Sequence, residues 1–325
     1  MAAGESAGSV KGGWSPSQSL NGAFRRGILV ATQNPVVRRG VRRYGMWLGA
    51  ARFVAGERFD DCVPVLRRLN DQGFRTNTTL LGEGVRDATT ARAVVSAYRD
   101  VLDRIASERL VTNLAVKPTH LGLDLGEEVA YQHLADLASH AARHNNFVRI
   151  DMEESARVDP TLRLYRRLRA DGHDNVGTVL QSALFRTEAD LADLLPLDPN
   201  LRLVKGAYLE PATIAHTRKV DVDAAYLRLA KRMLSEGRFT GIATHDERII
   251  DHLAEFAAQH GFGVEQFEFQ MLYGIRPQLQ SDLVARGHRV LIATPYGPEW
   301  YPYLMRRLAE RPANLLFFAQ SLLRR

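Results

Sequence analysis

Along the chain, short apolar runs alternate with longer segments whose apolar residues recur every three to four positions. The short runs are FRTNTTLL (74–81), LVTNLAVK (110–117), FVRIDM (147–152), NVGTVLQ (175–181), LRLVKG (201–206), TGIATH (240–245), FEFQML (267–272) and HRVLIAT (288–294). Their length and residue types predict eight strands, and their near-continuous apolar character predicts burial on both faces, as in a parallel sheet. Between them, Val94, Tyr98, Val101 and Ile105 share one helical face. So do Ala130, Leu134, Leu137 and Ala141, and likewise Ile249, Leu253, Phe256 and His260. Asp159-Pro160 and Thr187-Glu188 read as helix starts, and Gly172 and Gly261 as helix stops.

Eight strand–helix repeats in about 250 residues predict an α/β fold, a distorted (β/α)8 TIM-type barrel, over residues 74–325. No G-x-G-x-x-G follows the first strand, so a Rossmann dinucleotide site is unsupported. Residues 1–22, rich in Gly, Ser and Ala, are expected to be a disordered tail. Residues 23–73 are expected to hold N-terminal helices, the clearest being FDDCVPVLRRLNDQG (59–73) with its terminal Gly stop.

Composition narrows the class further. A single cysteine, Cys62, excludes an intramolecular disulfide and a multi-Cys zinc site and fits a reducing compartment. No secretory h-region and no run near the roughly 18 apolar residues of a membrane span is visible. The expected location is the cytoplasm, with peripheral contact at the inner membrane face as an option. The net charge of +6 comes from scattered arginines without a basic block, so no nucleic-acid partner is expected. The only lysines are Lys11, Lys117, Lys205, Lys219 and Lys231.

Barrel chemistry sits where the strands end in their β–α loops. Those ends are polar here: Lys117, then Asp151-Met152-Glu153-Glu154, Gln181-Ser182, Lys205-Gly206, and Thr244-His245-Asp246. Each has two readings. The acidic run could ligate a metal or serve a helix N-terminus. Lys117 and Lys205 could form Schiff bases, as in a barrel aldolase, or attract an anion. His245 could be a base or an ordinary loop histidine. Gly206-Ala207 suit a planar ligand lying close to the backbone, or plain tight packing.

In order, FVRIDMEES, RLVKGAY, ATHD, FEFQMLYG and PYGPEWYPYLMRRLAERPANL resemble the proline dehydrogenase family, and its monofunctional bacterial flavoenzymes most. The resemblance runs from about Phe59 to the C-terminus. It implies an FAD-containing barrel that oxidises L-proline to Δ1-pyrroline-5-carboxylate and passes electrons to quinone. A separate pyrroline-5-carboxylate dehydrogenase would take the product onward. It also implies a last helix over the barrel mouth. Arg306, Arg307 and Lys117 would surround the proline carboxylate, while Tyr208, Leu272 and Tyr303 would line the ring. Glu83 would gate the site by pairing with the first of the two arginines. Met152, Gln181, Arg202, Lys205, Gly206, Ala207, Thr244, His245 and Glu310 would hold the flavin, Arg202 with an added electronic role. Asp151 would orient Lys117 or polar groups near the flavin, and no metal is expected.

One position departs from the family. Ala293, in IATPYG, stands where the family usually has a tyrosine at the end of strand eight. A larger pocket follows, with weaker discrimination against hydroxyproline as the expectation and Tyr296 as a nearby aromatic that could compensate.

Overall fold

The eight runs form eight strands: β1 (Arg75–Leu80), β2 (Thr112–Val116), β3 (Val148–Ile150), β4 (Val176–Gln181), β5 (Asn200–Val204), β6 (Phe239–Ala243), β7 (Phe267–Leu272) and β8 (Val290–Tyr296). They close in sequence order into a parallel barrel, with β8 paired back to β1. These coordinates come from a computed structural model that describes residues 50–310, with side chains up to residue 307. The tail expected at 1–22 and the helical region over 23–49 lie outside the described residues. Residues 51–300 form one compact unit containing the barrel.

Helix α1 (Phe59–Asp71) precedes β1. Helices α2 (Ala88–Ser107), α3 (Glu127–Arg143), α4 (Val158–Ala170), α5 (Thr187–Leu194), α6 (Lys219–Glu236), α7 (Glu247–Gln259) and α8 (Pro277–Ala285) follow β1 to β7 in turn. A last helix, α9 (Trp300–Glu310), follows β8. Helices α2 and α3 bury the faces their periodicity predicts. Val94, Tyr98, Val101 and Ile105 of α2 are all buried, as are Ala130, Leu134, Leu137 and Ala141 of α3. On α7 the pattern slips: Ile249 and Leu253 are buried, but His260 is the exposed C-cap, stacked near Phe256. At 100° per residue the buried stripe passes instead to Ile250, Ala254 and Ala257. The Asp87 carboxylate caps α2, accepting the Thr90 N–H at 2.8 Å and its hydroxyl at 2.7 Å. Gly172 and Gly261 stop their helices at φ +88° and +73°.

Strands β1, β2, β3, β5 and β6 end one or two residues before their apolar runs do, which leaves Lys117, Asp151, Met152, Lys205, Gly206, Thr244 and His245 in the loops. Strand β8 instead ends later than its run. It continues through Pro295 to Tyr296, because extended backbone tolerates proline and the Pro295 carbonyl accepts the Ala55 N–H at 2.8 Å. Ala293 therefore sits mid-strand, in register with Asn77 and Leu272, and not at the strand end.

Alternation along the strands separates two environments. Outward positions such as Leu114, Val116, Val148, Ile150, Leu201, Leu203, Ile242, Phe269 and Ile292 join the apolar layer under the helices. The inward positions are far more polar than the apolar runs suggest. Asn77, Arg149, Gln181, Arg202, Glu268 and Gln270 are all buried. Small residues on neighbouring strands make room for them. A Cβ on Gly177 would lie 2.5 Å from Arg149 Nη1 and 2.4 Å from the Asn200 carbonyl oxygen. One on Gly241 would lie 2.5 Å from Gln270 Nε2. Arg149 donates from Nη1 to the Thr178 and Asn200 carbonyls at 3.0 and 2.8 Å, fixing it across the lower lumen. Burial, with the neighbouring Arg202 charge, pushes its pKa down to about 9, so it stays protonated at neutral pH.

Gly177→Ala should therefore displace Arg149 and the β4–β5 edge. The expected loss is about 1–3 kcal/mol of stability, the usual cost of overpacking. Chemical denaturation of the variant beside wild type measures it; an unchanged midpoint would show that the lumen can relax around a methyl group.

Candidate active site

From the N-terminal starts of β7 and β8 up to the C-terminal end of β3, the lumen holds a chain of polar and charged side chains. Arg202 projects inward from β5 and is almost fully buried. Its Nη1 donates to Asp151 Oδ1 at 2.9 Å, and its Nε donates to Gln270 Oε1 at 2.5 Å. Gln270 in turn donates from Nε2 to Glu268 Oε1 at 2.8 Å, and Glu268 pairs with Arg289 at 3.1 Å. The guanidinium is thus oriented by acceptors from β7 and from the residue after β3. Planar, multiply bonded and permanently charged, it is a fixed cation at the barrel mouth.

Two lysines flank this centre in different ways. Lys117, just after β2, pairs with Glu83 of the loop after β1. It opens the 3-10 turn Pro118–Leu121. Lys205, just after β5, lies 2.6 Å from Asp223 and 3.2 Å from Asp246. Lys219 bridges the same two carboxylates. Burial alone would raise the Asp246 carboxyl, but hydrogen bonds from Lys219 and Lys205 outweigh it and hold it below the usual carboxylate range. Among the two roles expected for Asp151, the geometry joins it to Arg202, whereas Lys117 has Glu83.

Beside Lys205 the backbone turns at Gly206 with φ +110°, in the left-handed region where glycine is favoured. A Cβ there would come within 3.2 Å of Gln181 Oε1 and 3.3 Å of the Ala183 Cβ. Gln181 is held from its other end, donating from Nε2 to the Glu153 carbonyl at 2.9 Å. Together with Ala183, Leu184, Tyr208, His216 and other residues of the β4 and β5 loops, Gln181, Lys205 and Gly206 line a cavity of about 270 Å³. Thr244 is buried, and its hydroxyl accepts the Asp246 N–H at 3.1 Å. His245 Nε2 accepts the Leu272 N–H at 2.9 Å, so in the neutral ring the proton sits on Nδ1. Ala207 is exposed and Met152 partly buried in the loops after β5 and β3.

Leu272 and Ala293 are register neighbours at inward positions, both half-buried. Tyr296 points the other way, into the helix layer, and packs on Phe59 with ring centroids 5.2 Å apart. It does not substitute for the side chain that Ala293 lacks. On α9, the Arg307 guanidinium lies 5.3 Å from the Tyr303 ring centre, so these two share a face, with Arg306 next to them, partly buried. Among the described residues, 301–310 belong to a second compact unit. The side chain of Glu310 lies outside the described residues.

Two residues of the site carried no assignment from the sequence. Glu153, third in the acidic run, is buried. It accepts the Thr119 N–H at 3.0 Å and the Thr119 hydroxyl at 2.6 Å. Through Thr119 it fixes the turn that begins at Lys117, and through its own carbonyl it fixes Gln181. Burial raises its carboxyl above the ordinary range against the pull of the Thr119 hydrogen bonds. His120 lies in the same turn, under Gly82, whose Cβ would meet its Nε2 at 2.4 Å. Burial, and then the Lys117 charge, push His120 down to about 4, so it is neutral at physiological pH. An acidic residue directly after an apolar strand was the available signal for Glu153. His120, three residues after Lys117, had none beyond its proximity.

A sequence profile described as Proline dehydrogenase matches residues 62–320. The chain belongs to the proline dehydrogenase family. It is 39% identical to Proline dehydrogenase 1 of Bacillus subtilis (strain 168) over 93% of this chain and all of that one. It is also 39% identical to the proline dehydrogenase of Deinococcus radiodurans, over 93% and 98% of the two chains. Against the bifunctional protein PutA of Escherichia coli it is 27% identical, covering 26% of that longer protein. Among solved structures, proline utilization A from Bdellovibrio bacteriovorus shares the fold, with a TM-score of 0.78 at 23% identity over 85% of this chain and 34% of the other. A Bradyrhizobium japonicum proline utilization A mutant matches with a TM-score of 0.70 at 27% identity, over 88% and 33% of the two chains. The chain spans about a third of these structures.

Membership in the proline dehydrogenase family makes the chain an oxidoreductase and decides against the Schiff-base aldolase reading of Lys117 and Lys205. No helix among the described residues is long and apolar enough to cross a membrane. Removing the Glu153 clamp provides a direct test of how the site is held. Glu153→Ala leaves the buried Thr119 N–H without its acceptor and should cost about 1–3 kcal/mol. Glu153→Gln, which keeps one acceptor, should lose less than half of that. Equal losses in urea unfolding would mean that both carboxylate oxygens are required and that the single acceptor kept by Gln does not suffice.

Proposed function

We propose that this proline dehydrogenase uses FAD to oxidise L-proline to Δ1-pyrroline-5-carboxylate and that its electrons go on to a quinone. One observation carries the cofactor assignment: the guanidinium of Arg202 is locked by Asp151 and Gln270, and four residues on, the same chain turns at Gly206, where a methyl group would crowd Gln181 and Ala183. A planar, electron-accepting group needs both, an open backbone edge to lie along and a fixed cation to favour its reduced, anionic form. When bound, FAD supplies the acceptor for the hydride leaving proline C5.

The residues proposed to hold it are Met152, Gln181, Arg202, Lys205, Gly206, Ala207, Thr244, His245 and Glu310. Gln181, Lys205 and Gly206 line the cavity after β5, where Lys205 offers a cation beside a negatively charged phosphate chain. Asp151 acts by orienting Arg202. For substrate, Lys117 with Arg306 and Arg307 is proposed to bind the carboxylate, an anion that matches ammonium and forked guanidinium donors. Tyr208, Leu272 and Tyr303 exclude water from the ring, and the small Ala293 leaves room beside it. Glu83 gates the site by exchanging the Lys117 ammonium for an arginine on α9 as substrate binds. The product leaves for a separate pyrroline-5-carboxylate dehydrogenase. Transfer to quinone implies peripheral contact of a cytoplasmic enzyme with the inner membrane face.

The purified full-length chain should be yellow, and anaerobic proline should bleach its flavin absorbance. Lys117→Met should keep the colour while kcat/KM for proline falls about 10- to 100-fold, the scale of one charge-assisted hydrogen bond. A colourless chain unable to take up FAD would overturn the proposal.

Ala293 supports a second element of the reading, acceptance of hydroxyproline. The inward position holds a methyl group, and Tyr296 faces the helix layer. Ala293→Tyr should raise the ratio of kcat/KM for proline over hydroxyproline by about tenfold, the scale of one steric or hydroxyl contact. Steady-state kinetics on both substrates decide it, and an unchanged ratio would remove Ala293 as a specificity determinant.

A further inference from the structure

Away from the barrel mouth, three side chains converge on the outer wall between α2 and α3. Asp103 comes from α2, and His140 and His144 from the end of α3. Four residues apart, the two histidines share one helical face. Both turn their Nε2 atoms toward the same carboxylate oxygen, Asp103 Oδ1, at 2.6 and 2.7 Å. The donor atoms of all three residues lie within 4.8 Å of one another. Ordinary hydrogen bonding between two helices needs one donor and one acceptor. Here two imidazole nitrogens and a carboxylate oxygen meet at a single point.

We propose that Asp103, His140 and His144 form a binding site for a borderline divalent transition-metal ion, of which Zn2+ is the representative. Two imidazoles and one carboxylate are the donor set such ions select, whereas Mg2+ and Ca2+ require oxygen ligands. Zinc–ligand distances of about 2.0–2.2 Å place tetrahedral ligand atoms roughly 3.3 Å apart. The two nitrogen–oxygen distances of 2.6 and 2.7 Å reach that by opening roughly 0.6–0.7 Å, and all three ligand atoms already lie within 4.8 Å of one another. Asp103 is the most exposed of the three, and the two rings are more covered, which leaves the remaining coordination positions open to water.

Protons must move for the ion to enter. Each neutral ring presents its Nε2 lone pair to the metal with its proton on Nδ1. Arg143 Nη2 lies 2.6 Å from His140 Nδ1, and this donor has to turn outward when Nδ1 carries a proton. Arg143 is exposed and can do so. The ion would then join α2 to α3 one turn along from the Arg99–Asp136 ion pair, which links the same two helices. That adds a cross-link to the barrel wall, remote from the flavin and substrate residues.

Titration calorimetry of the tag-free, full-length holoenzyme with Zn2+, together with thermal unfolding in Zn2+ or EDTA, tests the site. One Zn2+ per chain and a higher Tm in Zn2+ are expected. The double variant His140→Ala/His144→Ala should bind at least tenfold more weakly and lose the Tm shift, with its flavin content and proline oxidation unchanged. Should that variant fail to fold, His144→Gln serves in its place, with the same loss expected. Equal Zn2+ uptake by wild type and variant would overturn the proposal, as would an equal Tm rise with Mg2+.

Discussion

Closing a barrel on eight strands buries the inward side chains below its mouth, and here many of those side chains are polar or charged. Their organisation rests on one ion pair with its hydrogen-bonded continuation, Asp151 to Arg202 to Gln270. Unpaired, a guanidinium buried at this depth would be strongly destabilising; bonded on two sides, it is held in one orientation. The demand for acceptors explains the polar inner positions of β7, and the demand for space explains glycine at Gly177 and Gly241. Site chemistry and barrel packing are therefore the same set of contacts, and a change to one cannot leave the other untouched.

The cations of the barrel differ in how firmly they are held. Arg202 is buried and bonded to Asp151 and Gln270, so its guanidinium has one orientation. Lys117 is paired with Glu83, an exposed residue on the loop after β1. Lys205 shares two carboxylates with Lys219 at the edge of a cavity, an arrangement that balances charge between two lysines and two aspartates. Beneath Lys117, Glu153 fastens the turn through Thr119, so a flexible side chain projects from a rigid base.

Much of this was readable in the residues. The eight runs, the helical faces of α2 and α3 and the glycine stops follow from local periodicity and backbone sterics, which act over a few neighbouring positions. The polar residues at strand ends were likewise visible, because a charge closing an apolar run is conspicuous. Their partners were not. Asp151 and Arg202 are 51 residues apart, and Arg202 and Gln270 are 68 apart, so only the closing of the barrel joins them. The inward direction of Ala293 and the outward direction of Tyr296 also depended on where β8 begins and ends, which a proline at 295 obscured.

The order and type of the elements, the family motifs and the residues offered to the mouth are properties of the chain read in one dimension, since each arises from local spacing and chemical type. Which cation meets which carboxylate, that Glu153 is buried beneath the turn after Lys117, and that Asp103 meets two histidines from the next helix are decided in three dimensions. The physical reason is range: backbone preferences act between neighbours, whereas charge pairing and burial depend on distances that exist only after the strands have closed and the helices have packed around them.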